Sequence, residues 1–382
     1  MKTVGLLLTL FLTFQATIGG EVDYVLVPID HNDANGVKIK VDFVFEEGFD
    51  PDKETVVVLS DALDGCFANY YQQLDFSDKF NIVYFLGRSY SEEISRLVNY
   101  TGQANWSNAY KWLNLDQQAK DLELFRNGVL GSEKIHLLAY ASASGIALHY
   151  LSIFPDQVSK MLAINPLLFD LQKNMNFRPF EITNGEASQE FIDEKWIKFA
   201  WYMGLEESFY GGKRKKNELV DRIYQFNSWD FLLPEVNGEK FQRIAVKVRL
   251  FEHTRNYLYE HDESKTIPSV IQWMKNNSME VWDAFDRQPF RFVGMHYDLL
   301  TQFSGKMMIV CSSQNLMINP KTFEGLAEFI SNPTMLYIKD AHALQKLYSQ
   351  PEWPFVLQSF FDSDVKGQIQ AFKNLQNIGL IR

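Results

Sequence analysis

Short apolar, β-branched runs alternate with stretches of helical period along most of the chain. Glu21 to Pro28 and Val37 to Phe45 read as an N-terminal hairpin. Thr55 to Leu59 (TVVVL) and Ile82 to Leu86 (IVYFL) are continuous apolar runs, as expected of strands buried on both faces. Asn114 to Leu130 has helical spacing, Ile135 to Ala139 (IHLLA) is the next strand, and a helix follows to Phe154. Met161 to Ile164 is a strand that ends in Asn165-Pro166. Met307 to Cys311 (MMIVC), a helix from Thr322 and a strand from Met335 to Ile338 close the series. This alternation predicts an α/β fold with a mostly parallel sheet and helices on both faces. No internal repeat breaks the pattern, so a solenoid is not expected.

The rhythm changes between Pro166 and Gly305. That stretch is helical in period and rich in aromatics, with Trp196, Phe199, Trp201, Tyr202, Phe209 and Tyr210 clustered in it. It predicts a helical cap over residues 166–305, inserted into a core made of residues 21–165 and 306–382. The basic run Lys213 to Lys216 inside the cap reads as a solvated loop.

The first twenty residues carry Lys2, a short leucine-rich core and the small pair Gly19-Gly20, the pattern of a secretory signal peptide over 1–20. The stretch is a poor membrane span, and no later run is long and apolar enough for one. The mature chain is therefore expected outside the cytoplasm, without a membrane span. With 382 residues, 46% of them hydrophobic, it is long enough for a large core. Its formal net charge of -11 argues against a nucleic-acid partner, which calls for a basic face. Asn99, Asn105 and Asn276 each open an N-glycosylation sequon. The two cysteines, Cys66 and Cys311, are expected on strands that are not neighbours, as free thiols.

A hydrolytic nucleophile in such a fold sits on a tight turn between a buried strand and a helix, flanked by small residues two positions either side. Here the turn reads Ala139-Tyr140-Ala141-Ser142-Ala143-Ser144-Gly145. The surrounding segment KIHLLAYASASGIALHYLSIFPDQVSKMLAINP resembles the nucleophile elbow of the α/β-hydrolase superfamily, most of all the proline iminopeptidases. LNLDQQAKDLELFR, with Asp121 and Arg126, looks like the helix before that elbow; Arg88 and Tyr90 match the segment after the fourth strand, where Leu86 replaces the usual acidic residue. The resemblance implies an α/β-hydrolase fold with an inserted helical lid.

Carried over residue by residue, the resemblance implies a degenerate triad. Counting back from Pro155 puts Ala141 in the nucleophile slot, with Ala139 and Ala143 as the small neighbours. The acid slot falls on Asn315 and the base slot on His342. The loop that should supply oxyanion donors reads Ser60-Asp61-Ala62-Leu63-Asp64-Gly65, and its two carboxylates would oppose a developing oxyanion. A second alignment also stands: shifted by one residue, Ser142 becomes the nucleophile with His342 as base, at the cost of placing Tyr140 where a small residue belongs. The first predicts a secreted pseudoenzyme that binds a small molecule or peptide in the lid pocket, or a protein partner. The second predicts a secreted serine aminopeptidase or esterase.

The remaining candidates are weaker. His253 and His261 fit no metal-ligand spacing and read as surface histidines. His136 and His149 read as structural, Cys66 has no base nearby in sequence, and Glu206 and Glu207 read as a solvated helix end. No cofactor and no metal is expected.

Overall fold

The computed structural model describes residues 22–33, 35–63, 74, 76–131, 133–172, 242–259, 267, 269–313, 318, 320–340 and 344–381. Eight strands form one sheet: β1 (Val22–Pro28), β2 (Lys38–Phe45), β3 (Thr55–Leu59), β4 (Asn81–Phe85), β5 (Ile135–Tyr140), β6 (Val158–Ile164), β7 (Lys306–Ser312) and β8 (Thr334–Ile338). Their spatial order is β1-β2-β4-β3-β5-β6-β7-β8. β2 runs antiparallel to both β1 and β4, and every later pairing is parallel. β3, β4 and β5 are buried at every position, which is why they read as continuous apolar runs.

The helices are α1 (Glu92–Val98), α2 (Trp106–Leu113), α3 (Leu115–Gly128), α4 (Ala143–Ile153), α5 (Gln242–Leu258), α6 (Ser269–Asn277), α7 (Met279–Arg287), α8 (Thr322–Ala327), α9 (Gln345–Tyr348), α10 (Glu352–Phe361) and α11 (Val365–Asn377). Asn105 and Asn114 cap α2 and α3 by accepting from the backbone N–H groups of Asn108 and Gln117. α4 buries its residues from Ala143 to Ser152 without a polar face, as a helix wedged between sheet and cap must. Between β6 and β7 the described residues are helical (α5, α6, α7) with short 3-10 turns at Phe169–Gln172 and Tyr297–Gln302. The lid aromatics from Trp196 to Tyr210, the run Lys213 to Lys216, Glu206 and Glu207 lie outside the described residues.

One buried ion pair ties the hairpin to the body of the fold. Arg88, fully buried, donates twice to Asp121 at 2.5 Å and also to the carbonyls of Pro28, Ile29 and Trp112. His31 closes the cluster at 2.7 Å from Asp121. Each charge is paired and hydrogen-bonded, the condition under which burial is tolerated.

Candidate functional site

The order β4-β3-β5 means that the chain leaves β3 to one side and returns on the other. This is a topological switch point, and ligands in open α/β sheets bind in the crevice at the carboxyl ends of the strands that flank it. The loop after β3 carries Ser60, Asp61 and Ala62; the turn after β5 carries Ala141 and Ser142. All five are buried.

The turn after β5 is sharp. Ala141 has φ +35°, in the left-handed region that costs an L-residue roughly 1–2 kcal/mol. Its neighbours hold it there: the Ala141 N–H donates to the Ile164 carbonyl at 2.9 Å, and its own carbonyl accepts from Leu167 N–H at 3.1 Å. Ser142 is already helical, with φ -68° and ψ -36°, and stands at the N-cap of α4. A second left-handed residue, Asn165 (φ +45°), ends β6; it accepts from Ser312 N–H at 2.7 Å and donates to the Ser312 hydroxyl at 2.5 Å, locking β6 to β7.

An eight-stranded sheet in this order with β2 reversed, and a strained strand–turn–helix after β5, decide the architecture. The fold is that of the α/β-hydrolases. No protein-family model matches the chain, and no curated protein sequence does. Solved α/β-hydrolase structures are similar to it in shape. One is the 2-hydroxy-6-oxo-6-phenylhexa-2,4-dienoate hydrolase of Rhodococcus sp. strain RHA1, with 14% identity over 85% of this chain and 94% of that one, TM-score 0.47. Another is the naproxen esterase of Bacillus subtilis, with 14% identity over 94% and 99%, TM-score 0.44. A third is an α/β-hydrolase enzyme from a Medee basin deep-sea metagenome library, with 14% identity over 85% and 94%, TM-score 0.46.

Within this α/β-hydrolase framework, α5 lies over the crevice and brings in a charged cluster. Ser142 donates its hydroxyl to Asp61 at 2.7 Å. Asp61 is also held by Arg249, at 3.1 Å from Nε and 3.4 Å from Nη2, and by the Ser89 hydroxyl at 3.2 Å. Arg249 in turn donates to Glu252, whose other oxygen accepts from the backbone N–H of Leu115 at 3.0 Å. His253 Nε2 lies 3.3 Å from the Ser142 hydroxyl oxygen, and its ring meets Phe169 edge-on. A pocket of about 10 Å³ lies here among the described residues, lined by Ser142, Gly145, Arg249, Glu252, His253 and Tyr297 among others.

The electrostatics follow from burial against pairing. Burial works to raise the Asp61 carboxyl, but the Arg249 charge and the hydrogen bonds from Ser142 and Arg249 outweigh it and hold the group below its ordinary value. Burial pushes Glu252 up to about 7 against the pull of Arg249 and the Leu115 N–H, with Asp61 adding to the rise. Burial, reinforced by the nearby Arg249 charge, lowers His253 to about 3. At neutral pH the cluster thus holds an ionised Asp61, a charged Arg249 and a neutral imidazole.

Two expectations from sequence are corrected here. His253 is not a surface histidine: α5 turns it inward onto Ser142 and Phe169, and burial keeps it neutral. Asp61 does not present a bare carboxylate to the crevice, because Arg249, distant in sequence, neutralises it. Ser60 gives its backbone N–H to the Phe85 carbonyl at 3.2 Å, and its buried hydroxyl has no hydrogen-bond partner among the described residues. Asn315, His342, Asp64, Cys66 and His261 lie outside the described residues. Cys311 is a free, buried thiol on β7, and burial pushes its pKa well up. His136 sits on β5 against Phe80 and Phe361, and His149 on α4. The sequon residues Asn99, Asn105 and Asn276 are all exposed. Among the described residues no cluster of His, Cys, Asp and Glu could hold a metal ion, and no helix is long and apolar enough to cross a membrane. Sequence reasoning missed Arg249 and Glu252; their i, i+3 spacing on one helix face was visible, but nothing local said which surface that face would meet.

Proposed function

We propose that this chain is a non-catalytic α/β-hydrolase-fold protein, a secreted relative of the proline iminopeptidases that acts by binding a ligand in the crevice beneath α5. Ala141 carries the reading: it is the residue with positive φ at the turn after β5, and its methyl group has no electron pair with which to attack. Loss of the nucleophile of a catalytic triad costs on the order of 10⁶ in turnover. The ligand class is a small molecule or peptide, and a protein partner is the second kind of binding the reading allows. No cofactor takes part in it.

The arrangement around Ser142 supports the same reading. The hydroxyl has one proton, and ionised Asp61 can only accept, so that proton points at Asp61. His253 is then the donor in its contact with Ser142, the wrong role for a general base. An imidazole lowered to about 3 is also a weak proton acceptor.

One observation favours a second reading, in which Ser142 is the nucleophile of a serine hydrolase: its hydroxyl lies within 3.3 Å of an imidazole nitrogen. Turnover of p-nitrophenyl esters and aminoacyl anilides separates the two. The pseudoenzyme reading expects the same background rate from wild type and Ser142→Ala. A wild-type rate that disappears in Ser142→Ala and in His253→Gln establishes the second.

A further inference from the structure

The three N-glycosylation sequons take no part in the proposed function, and the structure places them very differently. Asn99-Tyr100-Thr101 lies between α1 and α2, and all three residues are exposed, Tyr100 by 86%. Asn105-Trp106-Ser107 opens α2. The Asn105 side chain caps that helix by accepting from Asn108 N–H, and Trp106 is half-buried against the core with Lys247 over its ring. Asn276-Asn277-Ser278 closes α6. Asn276 accepts from Gln272 within the helix, and Ser278 is fully buried, its hydroxyl donating to the Met274 and Lys275 carbonyls.

A sequon is an acceptor where the asparagine amide and the hydroxyl two residues on can be engaged together, and surface loops allow this. At Asn99 such engagement breaks little. Nδ2 donates to the Ser95 carbonyl at 3.0 Å, the Asn99 carbonyl accepts from Gly102 N–H at 2.9 Å, and the Thr101 hydroxyl donates to the Gln103 carbonyl at 3.3 Å. Residues 99–103 are all exposed, so water replaces these bonds at small net cost. At Asn105 the same engagement unwinds the first turn of α2 and draws Trp106 off the core. At Asn276 it strips the buried Ser278 hydroxyl of both its acceptors, where an unmade hydrogen bond is expensive.

We propose that Asn99 carries an N-linked glycan, and that Asn105 and Asn276 stay unmodified. The inference rests on the secretion reading above, because the sugar is added in a secretory compartment. The anomeric carbon of the first sugar bonds to Asn99 Nδ2 as its bond to a lipid diphosphate carrier breaks. The diphosphate leaves with the electron pair, and the amide gives up one proton to a base of the transferase. The glycan flanks Leu97 and Tyr100, exposed apolar side chains on either side of Asn99 in sequence, and bulky carbohydrate there is solubilising.

Expression of the full-length chain in insect cells tests the site, once with its own residues 1–20 and once with those residues replaced by a proven secretory leader. Protein from medium and microsomes together is treated with peptide N-glycosidase F, which converts each glycosylated Asn to Asp, and is mapped by peptide mass. Conversion is expected at Asn99, with Asn105 and Asn276 unconverted. Thr101→Ala, which keeps Asn99 but removes the hydroxyl, should abolish the glycan; Ser107→Ala should leave the wild-type pattern. With the replaced leader, an unconverted Asn99 overturns the proposal, and so does conversion at Asn105 or Asn276 equal to that at Asn99. Conversion of Asn99 with the replaced leader but not with the native one supports the site and overturns the secretion reading alone.

Discussion

The Ser142 hydroxyl is committed to Asp61 at 2.7 Å, and Asp61 is committed to Arg249 at 3.1 Å. On the proposed reading Ser142 is a strut between α4 and the loop after β3. Removing it should cost stability and leave activity untouched. A hydrogen bond to a charged group is worth about 1.5–3 kcal/mol, so Ser142→Ala should lower the urea-unfolding free energy by about that amount.

Arg249 is the member on which the cluster depends most, because its loss leaves Asp61 and Glu252 buried without a counter-charge. Breaking a buried pair from one side costs about 3–5 kcal/mol. Arg249→Ala should show a loss of that size by chemical denaturation. Replacing Asp61, Arg249 and Glu252 together by Asn, Met and Gln should recover most of it, since no charge is then stranded. A triple variant no more stable than Arg249→Ala would contradict this account of the cluster.

The backbone at Ala141 makes a prediction of opposite sign to ordinary helix chemistry. At φ +35° the methyl group is a liability, so Ala141→Gly should be neutral or stabilising by up to about 1 kcal/mol. Ala147→Gly, in the buried interior of α4, should cost about 1 kcal/mol or more from propensity and lost contacts. Thermal melts of the two variants side by side check the contrast.

Arg88 and Asp121 should matter for the fold and not for the crevice. Asp121→Asn removes the counter-charge of a fully buried guanidinium and should cost about 3–5 kcal/mol by denaturation. Hydrogen exchange of α5 should be unchanged relative to wild type at the same pH, because the hydrogen bonds of the pair run to Pro28, Ile29, His31 and Trp112 and none to α5.

Much of the fold was legible in the sequence. The buried strands stood out because sheets covered on both faces need uninterrupted apolar runs, and TVVVL, IVYFL and IHLLA each fell within a residue of β3, β4 and β5. The sharp turn was legible from its small residues, and the structure gives Ala141 the positive φ and Ser142 the helical conformation. The helices α1, α2, α9, α10 and α11 were not read from sequence; α1, α2 and α9 are too short to show a clear period. The cluster over the crevice was illegible for a different reason. Asp61 and Arg249 are 188 positions apart, and only the docking of α5 onto the switch point turns an unfavourable carboxylate into one half of an ion pair.

Labelling of the full-length protein with a fluorophosphonate, read by intact mass, tests the central claim most directly. An elbow apex occupied by a methyl group, beside a serine whose proton is held by a carboxylate, predicts no adduct after prolonged exposure. A stoichiometric adduct mapped to Ser142 would contradict it.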